Sequence, residues 1–175
     1  MDKIMLVRPS KELEIEAKEF KNEFFKNGEM EINGGELLDK TEDYDIWLEN
    51  VTKNSFAETV NPNWVVTDTF FAIRENDKRM IGIIDFRHEL NEFLQDFGHC
   101  GYSVRPSERE KGYATEILKQ VIEIARNNGI KELQLSCEKD NVPSVKTITK
   151  NGGIYKRSFE YNGKIADVYI LKINS

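Results

Sequence analysis

The residues best placed to do chemistry lie in Ser107-Glu108-Arg109-Glu110-Lys111-Gly112, between an extended run that ends at Val104 and a regular helical pattern that begins just after the glycine. The first turn of a helix presents N–H groups without intrahelical partners and the positive end of the helix dipole, and a glycine there lets an anion approach the backbone closely. Such a turn can cradle a pyrophosphate. The spacing Arg109-x-x-Gly112-x-Ala114 is loose by itself, and its place between strand and helix is what gives it weight.

Acid–base candidates are few. His88 and His99 are the only histidines, and imidazole is the side chain best poised near neutral pH, although a lone histidine is as readily a hydrogen-bonded structural residue. Cys100 and Cys137 invite an acyl-cysteine, but both fall in extended segments expected to be buried, where a thiol is a small inert hydrophobe. Tyr102, Tyr155 and Tyr161 carry hydroxyls that could serve as an acid or as the wet tips of packing residues. Glu138 ends an extended run, where its carboxylate could start a water relay or simply be solvated.

These residues need elements to hold them. Leu13, Ala17, Phe20 and Phe24 share one face of a helix predicted over Ser10 to Asn27, with Ser10 as cap and Gly28 as stop. Met30 to Lys40 is polar, contains Gly34-Gly35 and reads as a loop. A short helix over Asp43 to Asn54 would turn Ile46, Trp47 and Val51 inward. Trp64 to Arg74 and Arg79 to Phe86 read as a hairpin, and Gly98 to Arg105 as a strand stopped by Pro106. Ala114, Ile117, Leu118, Val121, Ile122 and Ala125 form the most regular apolar stripe, closed by Asn128-Gly129. A strand over Glu132 to Glu138, a helix over Asn141 to Asn151 and two strands flanking the turn Asn162-Gly163 complete the chain. The order implies a mixed sheet with a parallel pair at its centre and helices on both faces.

Composition narrows the class. With 39% apolar and 10% aromatic residues in 175, the chain can bury a core and is read as one domain, 1–175. No apolar run approaches the length of a membrane span, and the charged start Met1 to Glu12 lacks a signal-peptide pattern, so a cytoplasmic protein without membrane partner is expected. Two cysteines cannot make a disulfide framework. With 31 acidic against 25 basic residues, the net charge of -6 argues against a nucleic-acid partner and mildly favours a cationic one. No metal is expected, and a homodimer is admitted.

From about Trp64 to Ile173 the chain resembles the GCN5-related N-acetyltransferase (GNAT) superfamily. The resemblance rests on Gly101-Tyr102-Ser103-Val104-Arg105-Pro106, on the loop through Thr115, and on Asn141-Val142-Pro143-Ser144 before Asn151-Gly152-Gly153. It implies an α/β (α+β) GNAT fold, whose mixed, mostly antiparallel sheet has a splayed parallel pair, and a first strand near Ile4 to Arg8. It further implies acetyl-CoA as cosubstrate and transfer of its acetyl group to a primary amine of a small molecule or peptide by direct attack. Backbone near Val104 would bind the pantetheine amides; Arg109, Glu110, Lys111, Gly112, Tyr113, Ala114 and Thr115 would hold the pyrophosphate; Asn141 and Ser144 would touch the cofactor arm. The sequence departs from the family where many members carry a tyrosine acid, here Ile148, and where others carry a strand base, here Gly98 and Cys100. His99, Glu138 and Tyr102 are left as the catalytic candidates. The rival readings are a non-catalytic acyl-CoA sensor and a nucleotide-phosphate binder, and the latter has no glycine fingerprint to support it.

Overall fold

A computed structural model of the chain describes residues 1–174. Seven strands and four α-helices follow in the order β1 (Ile4–Val7), α1 (Glu14–Lys26), α2 (Tyr44–Asn54), β2 (Thr67–Arg74), β3 (Met80–Arg87), β4 (Tyr102–Val104), α3 (Tyr113–Asn127), β5 (Glu132–Glu138), α4 (Val142–Lys150), β6 (Ile154–Tyr161) and β7 (Lys164–Lys172). They build a four-stranded sheet, β1-β2-β3-β4, and a three-stranded sheet, β5-β7-β6, and every paired ladder is antiparallel.

Alternation along β2 and β3 divides the interior into two cores. Phe70, Ala72, Ile84 and Phe86 face α3 and α4, where Ile117, Leu118 and Val121 are buried with Leu133 and Leu135 of β5. Phe71, Ile73 and Ile83 face α1 and α2 and meet Phe20, Phe24 and Trp47. Trp47 stacks on Phe71 with the ring planes 2° apart and the centroids at 5.7 Å. The sequence therefore places helices on both faces, as expected, because each central strand carries apolar residues on both sides.

Several boundaries differ from the sequence reading. α1 begins after a 3-10 turn at Lys11–Leu13, and the Ser10 side chain makes no capping bond. In α2 the Asp43 carboxylate caps the first turn, but Ile46 is 54% exposed rather than inward. Tyr44, Trp47 and Val51 form the buried stripe instead, and Ile46 lies off it. β2 starts at Thr67, not Trp64. β4 is only three residues long, because the Gly101 N–H leaves the ladder and donates to the Asp85 side chain.

No ladder joins β4 to β5 among the described residues, so the expected central parallel pair is not a hydrogen-bonded one. The two sheets meet through the segment before β4, at an isolated bridge between Gly98 and Leu135. Gly98 has φ +80°, and a Cβ there would lie 2.2 Å from the Gln134 carbonyl oxygen, so only glycine allows this approach.

Candidate active site

The loop before α3 has the geometry of an anion cradle. Glu110 and Gly112 take positive φ of 61° and 89° on either side of Lys111. Gly112 caps α3 with no side-chain bond. The backbone N–H groups of Lys111, Gly112, Tyr113, Ala114 and Thr115 have no acceptor among the described residues. Beneath them the buried Glu108 anchors the loop by binding Lys111 and Arg74, each at 3.0 Å. Tyr113 is buried, and its hydroxyl lies 3.3 Å from Arg74.

Arg109 is engaged. Its guanidinium forms a bidentate pair with Glu29, both bonds at 2.9 Å, donates from Nε to the Val104 carbonyl and lies over the Phe24 ring. That hydrogen bonding holds the Glu29 carboxyl below its ordinary range. Arg109 thus braces the loop through Glu29 and Val104, and the groups without a protein partner at the start of α3 are the backbone N–H donors. Thr115 is half-buried, and its carbonyl accepts from Asn151.

Across the interrupted ladder, β4, β5 and α4 converge. The Tyr102 hydroxyl and Ser144 Oγ lie 2.7 Å apart. Burial pushes the Tyr102 phenol up to about 12, with the Ser144 bond opposing. Cys137 stands on the same side, half-buried, with its thiol pushed up by burial and drawn down by Ser144. Asn141 caps α4, its side-chain oxygen accepting the Ser144 N–H at 3.2 Å. Val104 ends β4 opposite Gly82, whose missing Cβ would lie 2.7 Å from Ile117, so the strand sits close upon α3.

The other candidates lie apart from this cluster. His99 Nδ1 accepts the Gln134 N–H at 2.9 Å, so the neutral ring carries its proton on Nε2, and burial depresses its pKa. Its own N–H donates to the Gln134 carbonyl, so His99 clips the pre-β4 segment to β5. Glu138 is at the exposed end of β5 and binds Lys164. Cys100 is fully buried, and burial raises its thiol strongly. Tyr155 and Tyr161 are about half exposed on β6. His88 pairs with Asp68 at 2.7 Å.

Sequence reasoning missed one group. Asp85 is buried in β3, where its carboxylate accepts the Gly101 N–H and binds Arg87. The signal was available in Met-Ile-Gly-Ile-Ile-Asp-Phe, an aspartate within an otherwise apolar strand.

An α/β fold with an anion cradle at the start of α3 and an interrupted ladder beside it defines a class of acyl-CoA-binding transferases. Residues 5–154 match the acetyltransferase (GNAT) domain family, and the chain belongs to it. It is an acetyltransferase with acetyl-CoA as cosubstrate, and its unpaired N–H groups fit that cosubstrate's phosphates. No curated protein matches the sequence. Among solved structures, the microcin C7 self-immunity acetyltransferase, in complex with acetyl-CoA and AMP, is similar with a TM-score of 0.72 at 17% identity, over 99% of this chain and 94% of that one. The ribosomal-protein-S5-alanine acetyltransferase from Vibrio fischeri has a TM-score of 0.71 at 14% identity, over 98% and 92%. A ribosomal L7/L12 α-N-protein acetyltransferase, in complex with coenzyme A disulfide-linked to one of its cysteines, has a TM-score of 0.70 at 14% identity, over 97% and 94%. At these identities the likeness is one of fold. No helix among the described residues is long and apolar enough to cross a membrane.

Proposed function

We propose that the protein moves the acetyl group of acetyl-CoA to a primary amine, of a peptide N-terminus or a small molecule, by direct attack of the neutral amine. The observation that carries this reading is the row of partnerless N–H groups from Lys111 to Thr115 beside the gap between β4 and β5. Acetyl-CoA supplies an activated thioester. The chain's own residues bind and orient it: the α3 N-terminus takes the pyrophosphate, Val104 and its neighbours face the pantetheine amides, and Asn141 and Ser144 meet the arm from α4.

A leaving thiolate needs a proton. Tyr102 supports that role, since its hydroxyl, held protonated by burial, lies against Ser144 beside the gap. This pair takes the place of the acid that Ile148 cannot provide. His99 is given a positioning role, because its Nδ1 lone pair is already occupied by Gln134. Glu138 is engaged by Lys164 and is left out of proton transfer.

The names of two neighbours, which act on an S5 alanine and on the N-terminal serine of L7/L12, favour testing peptide α-amines beside small amines. We keep the chain as one domain, 1–175, because both cores share β2 and β3. Its two free thiols agree with a cytoplasmic setting. A homodimer stays an expectation, to be read by sedimentation. The deciding experiment measures coenzyme A release from acetyl-CoA with a panel of Ser- and Ala-initiated pentapeptides and small primary amines. Release well above hydrolysis is expected with at least one, whereas tight acetyl-CoA binding without release from any would make the protein an acyl-CoA-binding domain.

A further inference from the structure

On the side away from α3 and α4, the gap between β4 and β5 is bordered by a row of aromatic rings. Alternation sorts the two faces. Tyr102, Val104 and Cys137 pack on the core under α3 and α4. Ser103 and Ser136 point the other way, Ser103 Oγ donating to the Asn33 carbonyl at 2.8 Å and Ser136 Oγ to the Phe97 carbonyl at 3.2 Å. Ser136, Val168 and Arg157 lie directly opposite one another across β5, β7 and β6, so Phe159 and Tyr161, further along β6 in the same alternation, share this second face. Phe97 meets Phe159 and Tyr161 edge-on, with centroids at 5.9 and 5.0 Å. The row continues to Phe93, 5.2 Å from Phe97, and on to Trp64, 6.4 Å from Phe93.

The row is held in place yet left open. The Gln95 carbonyl accepts from Gln134 Nε2 and from Arg157, and Arg157 also pairs with Asp96 at 2.7 Å, so the segment carrying Phe93 and Phe97 is tied to β5 and β6. Phe93 is nevertheless 63% exposed on its 3-10 turn, and Tyr161 is 50% exposed on the hairpin. Contiguous apolar rings fixed beside a cleft and left to water are a binding surface. The charges beside the row are paired with one another, Arg157 with Asp96, and Arg87, whose guanidinium lies 5.8 Å from the Trp64 ring centre, with Asp85. The wall therefore suits an uncharged flat group and disfavours a charged one, which would lose water without gaining a counter-ion. Trp64 Nε1 is buried without a partner, so the end of the row also offers one N–H donor.

We propose that this row selects the acceptor by taking a neutral aromatic group carried on the amine, an inference that rests on the amine-acetylation reading. With the cofactor arm held by Asn141 and Ser144 from the α4 side, the amine reaches the thioester carbonyl from the face that carries Phe97. A primary amine entering there lays its substituent along Phe97, toward Phe93 on one side or Tyr161 on the other. An aromatic ring on that substituent stacks on the row or meets it edge-on, and so keeps the nitrogen in line with the carbonyl. The preferred acceptor is an arylalkylamine or a peptide whose second residue is aromatic. Phe93, Phe97 and Tyr161 are specificity-determining residues, and no proton or acyl group passes through them.

The test measures coenzyme A release with two matched pairs of acceptors, phenethylamine against n-butylamine, and pentapeptides with phenylalanine against alanine as second residue. The ring-bearing member of at least one pair is expected to have a kcat/KM about tenfold or more higher, chiefly through KM, and the pair that shows it tells whether a small amine or a peptide brings the ring. Phe93→Ala is expected to remove most of that preference while acetyl-CoA affinity is kept, since a ring 63% exposed on a turn can be truncated without disturbing either core. Tyr161→Ser, a second exposed truncation, is expected to reduce it severalfold. Calorimetric titration of each ring-bearing acceptor into the protein loaded with coenzyme A reads the same contact without turnover, and the Kd of the preferred one is expected to weaken about tenfold in Phe93→Ala. Equal kcat/KM within both pairs, or a preference that survives both truncations, overturns the row as a selecting surface and leaves acetyl transfer intact. A native dimer that Phe93→Ala splits in sedimentation overturns it too, because the row would then be covered by a second copy. No coenzyme A release from any amine overturns the amine-acetylation reading, and this inference with it.

Discussion

At Gly112 the backbone stands at φ +89°, and a Cβ would meet nothing nearer than Met1 Sδ at 3.5 Å. Space is therefore no obstacle to a larger residue, but conformation is. A β-branched residue in the left-handed region costs on the order of 1–3 kcal/mol. Gly112→Val is expected to pay this by turning the loop's N–H groups out of line, weakening acetyl-CoA binding by about tenfold or more while the far-ultraviolet dichroism is kept. Unchanged affinity in a calorimetric titration would remove the cradle. Its neighbour Arg109 carries a different lesson. The motif Arg109-x-x-Gly112 was legible because it is local, whereas the bidentate partner Glu29 is eighty residues away and no spacing announces it. Glu29 also places a negative charge beside an anion site. Glu29→Gln is expected to tighten acetyl-CoA binding about two- to fivefold at low ionic strength, with the gain fading in high salt as the charges are screened. An equal gain at all salt concentrations would point to a change in loop shape instead.

At the scale of elements, what the sequence revealed is what local rules encode. α3 was readable from its apolar stripe and Asn128-Gly129 stop, and the β6–β7 turn from Asn162-Gly163, which take φ of 49° and 77° as the hairpin requires. The length of β4 was not readable, because its ladder stops where a side chain from another strand captures the Gly101 N–H. Nor was the order in the α1–α2 loop. Met30 to Lys40 is polar and glycine-containing, yet Glu36 and Leu37 hold positive φ of 50° and 70° under the grip of Trp47, a contact set by tertiary packing. Gly34 is where the loop meets the strand, since a Cβ there would lie 2.1 Å from the Gly101 carbonyl oxygen. Gly34→Ala is expected to lift the loop from β4 and lower the melting temperature while acetyl-CoA affinity holds, because the cradle lies on another segment. A loss of acetyl-CoA affinity in a calorimetric titration of the variant would mean that the loop and the cradle are not independent.

For the whole molecule, the two cores share β2 and β3, so a charge held at Glu36 registers in global stability. Burial, reinforced by Asp85, raises the Glu36 carboxyl from 4.5 to about 9. Between those values the folded state binds more protons than the unfolded state, so stability is full below the lower value and declines as pH rises through the upper one. The slope is bounded at about 1.4 kcal/mol per pH unit for one proton. Other titrations act outside the alkaline window. Glu23 and Glu29 have depressed carboxyls, so their contributions are lost only as pH falls toward the acid side of 4.5. His99, depressed from 6.5 by burial, adds stability that disappears as pH falls below that value. Cys100, raised from 9.0, acts only above it. From about pH 7 to pH 9, thermal melting of the native protein is therefore expected to weaken steadily, whereas Glu36→Gln, fixed in the neutral form, loses much less. The two curves should lie closest near pH 4.5 and separate steadily toward pH 9, with the variant losing no stability through this group at the alkaline end. Parallel melting curves across that range would mean that Glu36 carries its charge in the folded protein.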